Sequence, residues 1–245
     1  MKKMILAAIV AVAVSLGVAV PALAATPSLE AAQPAPMITT QAVAGGWSVN
    51  AKTGTYVTKA QKKLFKKATA KLTGVTYTPV IVMAKQVVAG MNYAYFCKAE
   101  TVTAKKTVSW KVVIVNKPAT GKPSVLAIND FNYKKIKTLK NAPKSSKADG
   151  AWSNIKKAYK TKVLPEVART AFKKAAKNYV GVSLTPLVLL STQVVAGTNY
   201  RYLCSGVVPG SKTVNYYAVD VYNNLKGKAK ITSCKPVKMS AYLAV

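Results

Sequence analysis

Histidine, the side chain whose proton moves most readily near neutral pH, is absent from this 245-residue chain. That removes His-based triads, imidazole general bases and His-x-x-x-His zinc sites. Six carboxylates remain, Glu30, Glu100, Asp130, Asp149, Glu166 and Asp220. They are far apart and never form a spaced pair in both halves of the chain, so paired-carboxylate hydrolysis has no foothold. A Gly-rich phosphate loop is also missing. Three cysteines, Cys97, Cys204 and Cys234, are an odd set for an exported protein, and Cys97 and Cys204 occupy equivalent places in a repeat. These residues argue against an enzyme, a metal site and a cofactor. What they leave is recognition by surface.

One stretch is suited to that. Gln86-Val87-Val88-Ala89-Gly90-Met91-Asn92-Tyr93 returns 107 residues later as Gln193-Val194-Val195-Ala196-Gly197-Thr198-Asn199-Tyr200. Strand-like runs flank each copy, so each reads as a hairpin tip, and Gly90 or Gly197 can adopt the positive φ that a tight turn demands. Two valines and an alanine make the tip uncharged and protruding. The plainer alternative is an ordinary hairpin whose valines turn inward. Around the tips the repeat is extensive: residues 64–97 and 171–204 align without a gap and share 17 of 34 positions.

Gln-Val-Val-Ala-Gly-Thr-Asn-Tyr resembles the first inhibitory hairpin of the cystatin and stefin family, tight reversible inhibitors of papain-like cysteine proteases. The stretch Val43-Ala44-Gly45-Gly46-Trp47-Ser48 resembles the family's N-terminal trunk. The resemblance implies that Val43 and Ala44 enter the protease's specificity pocket with Gly45 as hinge. It implies that Gln86, Val87, Val88, Ala89 and Gly90 form the first tip, and that Pro118 belongs to a second. In the other half the corresponding residues are Gly150 and Gln193, Val194, Val195, Ala196 and Gly197. Two departures matter. The Pro-Trp pair that many cystatins carry on the second hairpin is missing; residues 116–121 are nearer to stefins, which hold a proline there, whereas residues 223–227, Asn-Asn-Leu-Lys-Gly, put inhibition by that half in doubt. Asp149, ahead of Gly150, would carry a charge toward an apolar pocket, at an unpaired desolvation cost on the order of several kcal/mol. The first half is therefore expected to be the more complete wedge.

The elements that must hold these tips are legible as periodicities. Over residues 55–72 apolar side chains recur every three or four positions with lysines between them, which predicts an amphipathic helix ended by Gly74. Four strand-like runs follow, at residues 77–84, 92–103, 107–116 and 124–132. Tyr93, Tyr95 and Cys97 share one side of the second run and are expected to meet the helix. The second half repeats this order, with Pro165 in the first helical turn and runs at 184–191, 199–208, 213–223 and 229–235. The expected fold is α+β: two tandem cystatin-like domains, each one helix packed across a curved antiparallel sheet of four to five strands. Boundaries are set at 44–139 and 149–245, joined by a linker at 140–148. Ahead of them lie a signal peptide at 1–24 (Lys2, Lys3, an apolar run, then Ala22-Leu23-Ala24) and a flexible lead-in at 25–43.

Charge bounds the partners. Lysine and arginine total 37 against 6 acids, a net +31, and the leader carries only Lys2 and Lys3 of it. A surface so basic attracts polyanions. Arginine supplies only Arg169 and Arg201, which disfavours base-edge reading and hence sequence-specific nucleic-acid binding. The expectation is a secreted or periplasmic inhibitor that acts as a steric wedge in the cleft of papain-like cysteine proteases, with no membrane span after leader cleavage. The alternative is a non-inhibitory basic module of the same fold that binds polyanions or a cell surface.

Overall fold

The computed structural model describes residues 45–50, 56–132, 152–155 and 164–245. They fall within one compact unit running from Thr39 to Val245. The leader, the lead-in, Val43, Ala44, Gly150 and the linker at 140–148 lie outside the described residues.

Ten strands and two short α-helices make up the described part. The first sheet runs β1 (Trp47–Val49), β2 (Val75–Val88), β3 (Gly90–Thr101), β4 (Val108–Pro118) and β5 (Ser124–Asp130), each strand antiparallel to the next. The second repeats this as β6 (Ser153–Asn154), β7 (Ser183–Val195), β8 (Gly197–Val207), β9 (Val214–Asn224) and β10 (Ala229–Pro236). Helix α1 covers Lys59–Ala68 and α2 covers Glu166–Ala176.

Both helices are shorter than the sequence pattern suggests, and for α1 the cap at its start explains why. Thr58 caps α1: its side chain accepts from the backbone N–H of Gln61, whose side chain accepts in return from the Thr58 N–H. This reciprocal capping box starts the helix four residues after the periodic pattern begins. Phe65 is the fully buried side chain of α1, and its ring meets Tyr95 edge-on at 5.0 Å between centroids. The Tyr95 hydroxyl donates to the Gln61 carbonyl at 3.3 Å. The second half repeats the contact with Phe172 against Tyr202 at 5.1 Å, and the Tyr202 hydroxyl donates to the Ala168 carbonyl at 2.8 Å.

The α+β expectation of two tandem cystatin-like domains is overturned. The molecule is predominantly β, and its largest core belongs to both halves at once. Ile81, Met83, Phe96, Trp110 and Val112 of the first sheet share one buried cluster with Val188, Leu190, Leu203, Tyr216 and Ala218 of the second. The reason lies in strand length and composition. Strands of 11 to 14 residues carry apolar side chains on both faces, and Val112, Val113, Ile114 and Val115 are all buried in succession. A ten-residue helix, about 15 Å long, covers part of one face. The other face is buried mainly by the opposite sheet, with Val237 and Leu243 from the chain after β10 completing the cluster.

Two hydrogen bonds lock this packing in matching ways. The Trp110 indole N–H donates to the Leu190 carbonyl at 3.0 Å, and the Tyr216 hydroxyl points between two carbonyls of the first half, the nearer that of Asn50 and the other that of Met83 at 3.3 Å. Trp110 lies opposite Lys98, and Tyr216 opposite Ser205, so the two donors occupy the same place in their halves. Met83 and Leu190 correspond in the same way, which makes the exchange reciprocal. Beyond β10 the chain returns to the first sheet, where the Asn129 side-chain amide donates to the Tyr242 and Ala244 carbonyls at 3.1 and 2.9 Å. A chain ending after Asn132 would expose the shared core. Expressed alone, the first half is expected to show no cooperative thermal transition in circular dichroism; a sharp transition like that of the intact chain would refute the shared-core account.

Candidate functional site

The first sheet brings three separate stretches to one end. β1 runs antiparallel to β2 with Trp47 opposite Gln86, which carries the chain at Gly45 alongside the first tip. Gly45 has φ +90°, and its carbonyl accepts a hydrogen bond from the Gln86 side-chain amide at 2.7 Å. β2 and β3 extend to the tip itself, where Val88 pairs with Gly90 and the chain reverses at Ala89. Gly90 in turn pairs with Pro118 at the end of β4. Gly45, the Gln86–Gly90 tip and the Pro118 turn are therefore neighbours.

The tip presents its valines outward. Val87 is 62% exposed and Val88 39%, with Ala89 also exposed. Gly90 is a structural requirement: with φ +119°, a Cβ there would lie 2.3 Å from the Lys117 carbonyl oxygen and 2.7 Å from Pro118 Cα. The two hairpins approach so closely at this point that no other residue fits.

Below the tip, polar side chains cross the sheet in a single row. Gln86, Asn92 and Asn116 are register partners on β2, β3 and β4. Asn116 donates to the Asn92 side-chain oxygen at 2.7 Å, and Asn92 donates to that of Gln86, also at 2.7 Å. The row continues through Gln86 to the Gly45 carbonyl, so three amides tie four segments together. Each bond contributes roughly 0.5–1.5 kcal/mol net, and a connected row holds geometry better than isolated bonds do. Sequence reasoning singled out Gln86 and missed Asn92 and Asn116, although Asn92 belongs to the repeated octapeptide.

The second sheet builds a variant of this end. Gly197 has φ +124° and pairs with Asn224, and Val194 is 66% exposed beside an exposed Ala196, while Val195 is half-buried. Asn199 donates to Gln193 at 2.9 Å, as in the first half. The next register partner is Tyr222, and its hydroxyl reaches up to the Ala196 carbonyl at 2.5 Å. In the second turn Leu225 is 84% exposed, an apolar side chain among polar neighbours. The turn is held from α2 by Lys174, which donates to the Gly227 carbonyl at 3.0 Å.

The cysteines lie away from these ends. Cys97 and Cys204 are completely buried, and burial pushes both thiols well above their ordinary range, which suits them to packing and not to nucleophilic attack. Cys204 on β8 and Cys234 on β10 are free and separated by β9. Among the described residues no group of histidine, cysteine or acidic side chains has the arrangement of a metal site, and no helix is long and apolar enough to cross a membrane. The sequence matches no protein-family model and no curated protein.

Proposed function

We propose that the end of the first sheet made by Gly45, the Gln86–Gly90 tip and the Pro118 turn is an inhibitory blade. It enters the active-site cleft of a papain-like cysteine protease and blocks it sterically. The observation that carries this reading is the convergence of three distant stretches on one edge whose foremost side chains are exposed valines. Two further features support it. The Gln86–Gly90 tip is itself uncharged on a strongly basic protein, with Lys117 and Lys122 confined to the neighbouring turn, so its apolar character is local and not a reflection of composition. The amide row beneath it holds the three stretches in one arrangement before binding, which keeps the ordering cost of association small. The target class comes from the likeness of Gln-Val-Val-Ala-Gly to cystatin tips. That likeness concerns the tip and does not extend to the fold.

Titrating papain with the purified protein tests the reading. The expected result is stoichiometric loss of peptidase activity. Val87→Asp is expected to weaken inhibition on the order of a hundredfold, because a carboxylate would be driven unpaired into an apolar contact. Val194→Asp is expected to have a smaller effect. Full papain activity at micromolar excess of inhibitor would end the proposal.

A further inference from the structure

We propose that the solvent face of α1 is a docking stripe for a linear anionic polysaccharide. Lys59, Lys62, Lys63, Lys66 and Lys67 are all exposed. Their spacing places them on one side of the helix, over about 12 Å at 1.5 Å per residue. Phe65, Leu64 and Ala68 occupy the opposite side and pack on the sheet. The helix contains no acidic residue, and none of the five lysines takes part in an ion pair among the described residues.

The second half supplies an internal comparison. In the equivalent helix, Glu166 pairs with Arg169, and Lys174 is engaged by the Gly227 carbonyl. Its sequence carries one acid against three bases, so the fold does not require a helix of unrelieved positive charge. In α1 the pairs 59/63, 62/66 and 63/67 set like charges one turn apart, an arrangement that weakens a helix. A polyanion laid along the stripe relieves that repulsion. The chemistry narrows the partner. The stripe has no arginine and no aromatic side chain, so it offers neither guanidinium forks nor stacking surfaces for nucleobases. The apolar side of α1 is committed to the core, which leaves nothing to insert into a bilayer. Five ammonium groups on flexible stems suit the sulfate and carboxylate groups of a flexible polysaccharide.

This inference does not rest on the inhibitory reading, and its test has no protease in it. Heparin is the probe, and the full chain is compared with two triple variants that remove equal charge. Lys59→Gln, Lys63→Gln and Lys66→Gln together alter the stripe. Lys177→Gln, Lys212→Gln and Lys238→Gln alter exposed lysines elsewhere. Near 0.1 M salt the Kd for heparin is expected to rise on the order of tenfold in the stripe variant and less than about threefold in the control. Heparin is also expected to raise the Tm of the native chain in low salt, and to raise that of the stripe variant less. Equal weakening in both variants would reduce the effect to overall charge and overturn the proposal. A duplex oligonucleotide or anionic phosphatidylserine vesicles losing as much affinity as heparin in the stripe variant would overturn the assignment to polysaccharide.

Discussion

Replacing Arg201 with methionine is expected to cost about 3–5 kcal/mol of stability, a large share of the roughly 5–15 kcal/mol available to a domain. Arg201 on β8 and Asp220 on β9 face each other in register and form a two-pronged ion pair, with both N–O distances 2.6 Å. Arg201 is 4% exposed and Asp220 6%, and the guanidinium also lies 4.4 Å from the centre of the Trp152 ring. Removing the cation leaves a carboxylate buried without its partner, and that uncompensated charge is the source of the cost. The first half shows the alternative solution. Ala94 and Ile114 are register partners on β3 and β4, the same positions in the other sheet, and both are completely buried. Pairing Arg201→Met with Asp220→Val is therefore expected to recover most of the loss and to unfold within about 1.5 kcal/mol of the native chain. Urea denaturation of the two single variants and the double variant closes the cycle. Additive losses would mean that the pair does not act as a unit.

The second large effect is expected at Gly90. Alanine there must place its Cβ 2.3 Å from the Lys117 carbonyl oxygen and must also hold φ near +119°. Positive-φ strain alone costs on the order of 1–3 kcal/mol. The clash with the backbone of β4 adds to it, because a paired strand cannot yield as a flexible side chain would. A loss of about 2–4 kcal/mol in urea denaturation is expected, with separation of the two hairpin ends. Gly121 provides the contrast: it too has positive φ, at +97°, and nothing lies within 4 Å of the Cβ it would acquire. Gly121→Ala is expected to cost about 1 kcal/mol. Equal losses at the two sites would show that close approach of the hairpins contributes nothing. The same variants bear on function: if the converged edge is the blade, Gly90→Ala weakens papain inhibition and Gly121→Ala does so much less.

How far the sequence was legible differs from element to element. The tips could be read because a glycine flanked by two alternating runs is a local signal, and its recurrence after 107 residues marks a repeat. The side of β3 that meets α1 could be read because Tyr93, Tyr95 and Cys97 follow a two-residue period, and Tyr95 packs on Phe65. The amide row was harder to see. Asn92 and Asn116 are 24 residues apart, and only the register of β3 on β4 makes them partners. Leu225 was hidden by its neighbours, since a polar turn gives no hint of which side chain it will project.

The fold class was misread for a definite reason. A consecutive apolar run such as Val112 to Val115 says that both faces of a strand are covered and leaves open what covers the second one. Nothing local in either half names the other half as the cover. That was decided in three dimensions by Trp110 reaching the Leu190 carbonyl and Tyr216 reaching the Met83 carbonyl, 80 and 133 residues away along the chain. By itself the sequence determined the repeat, the amphipathic helices, the glycine-dependent tips and the large positive charge. Each of these depends on neighbours within a few residues or on composition. Tertiary structure decided which faces are shared and which distant segments meet at one edge, because burial and register are properties of pairs of strands and no single strand carries them.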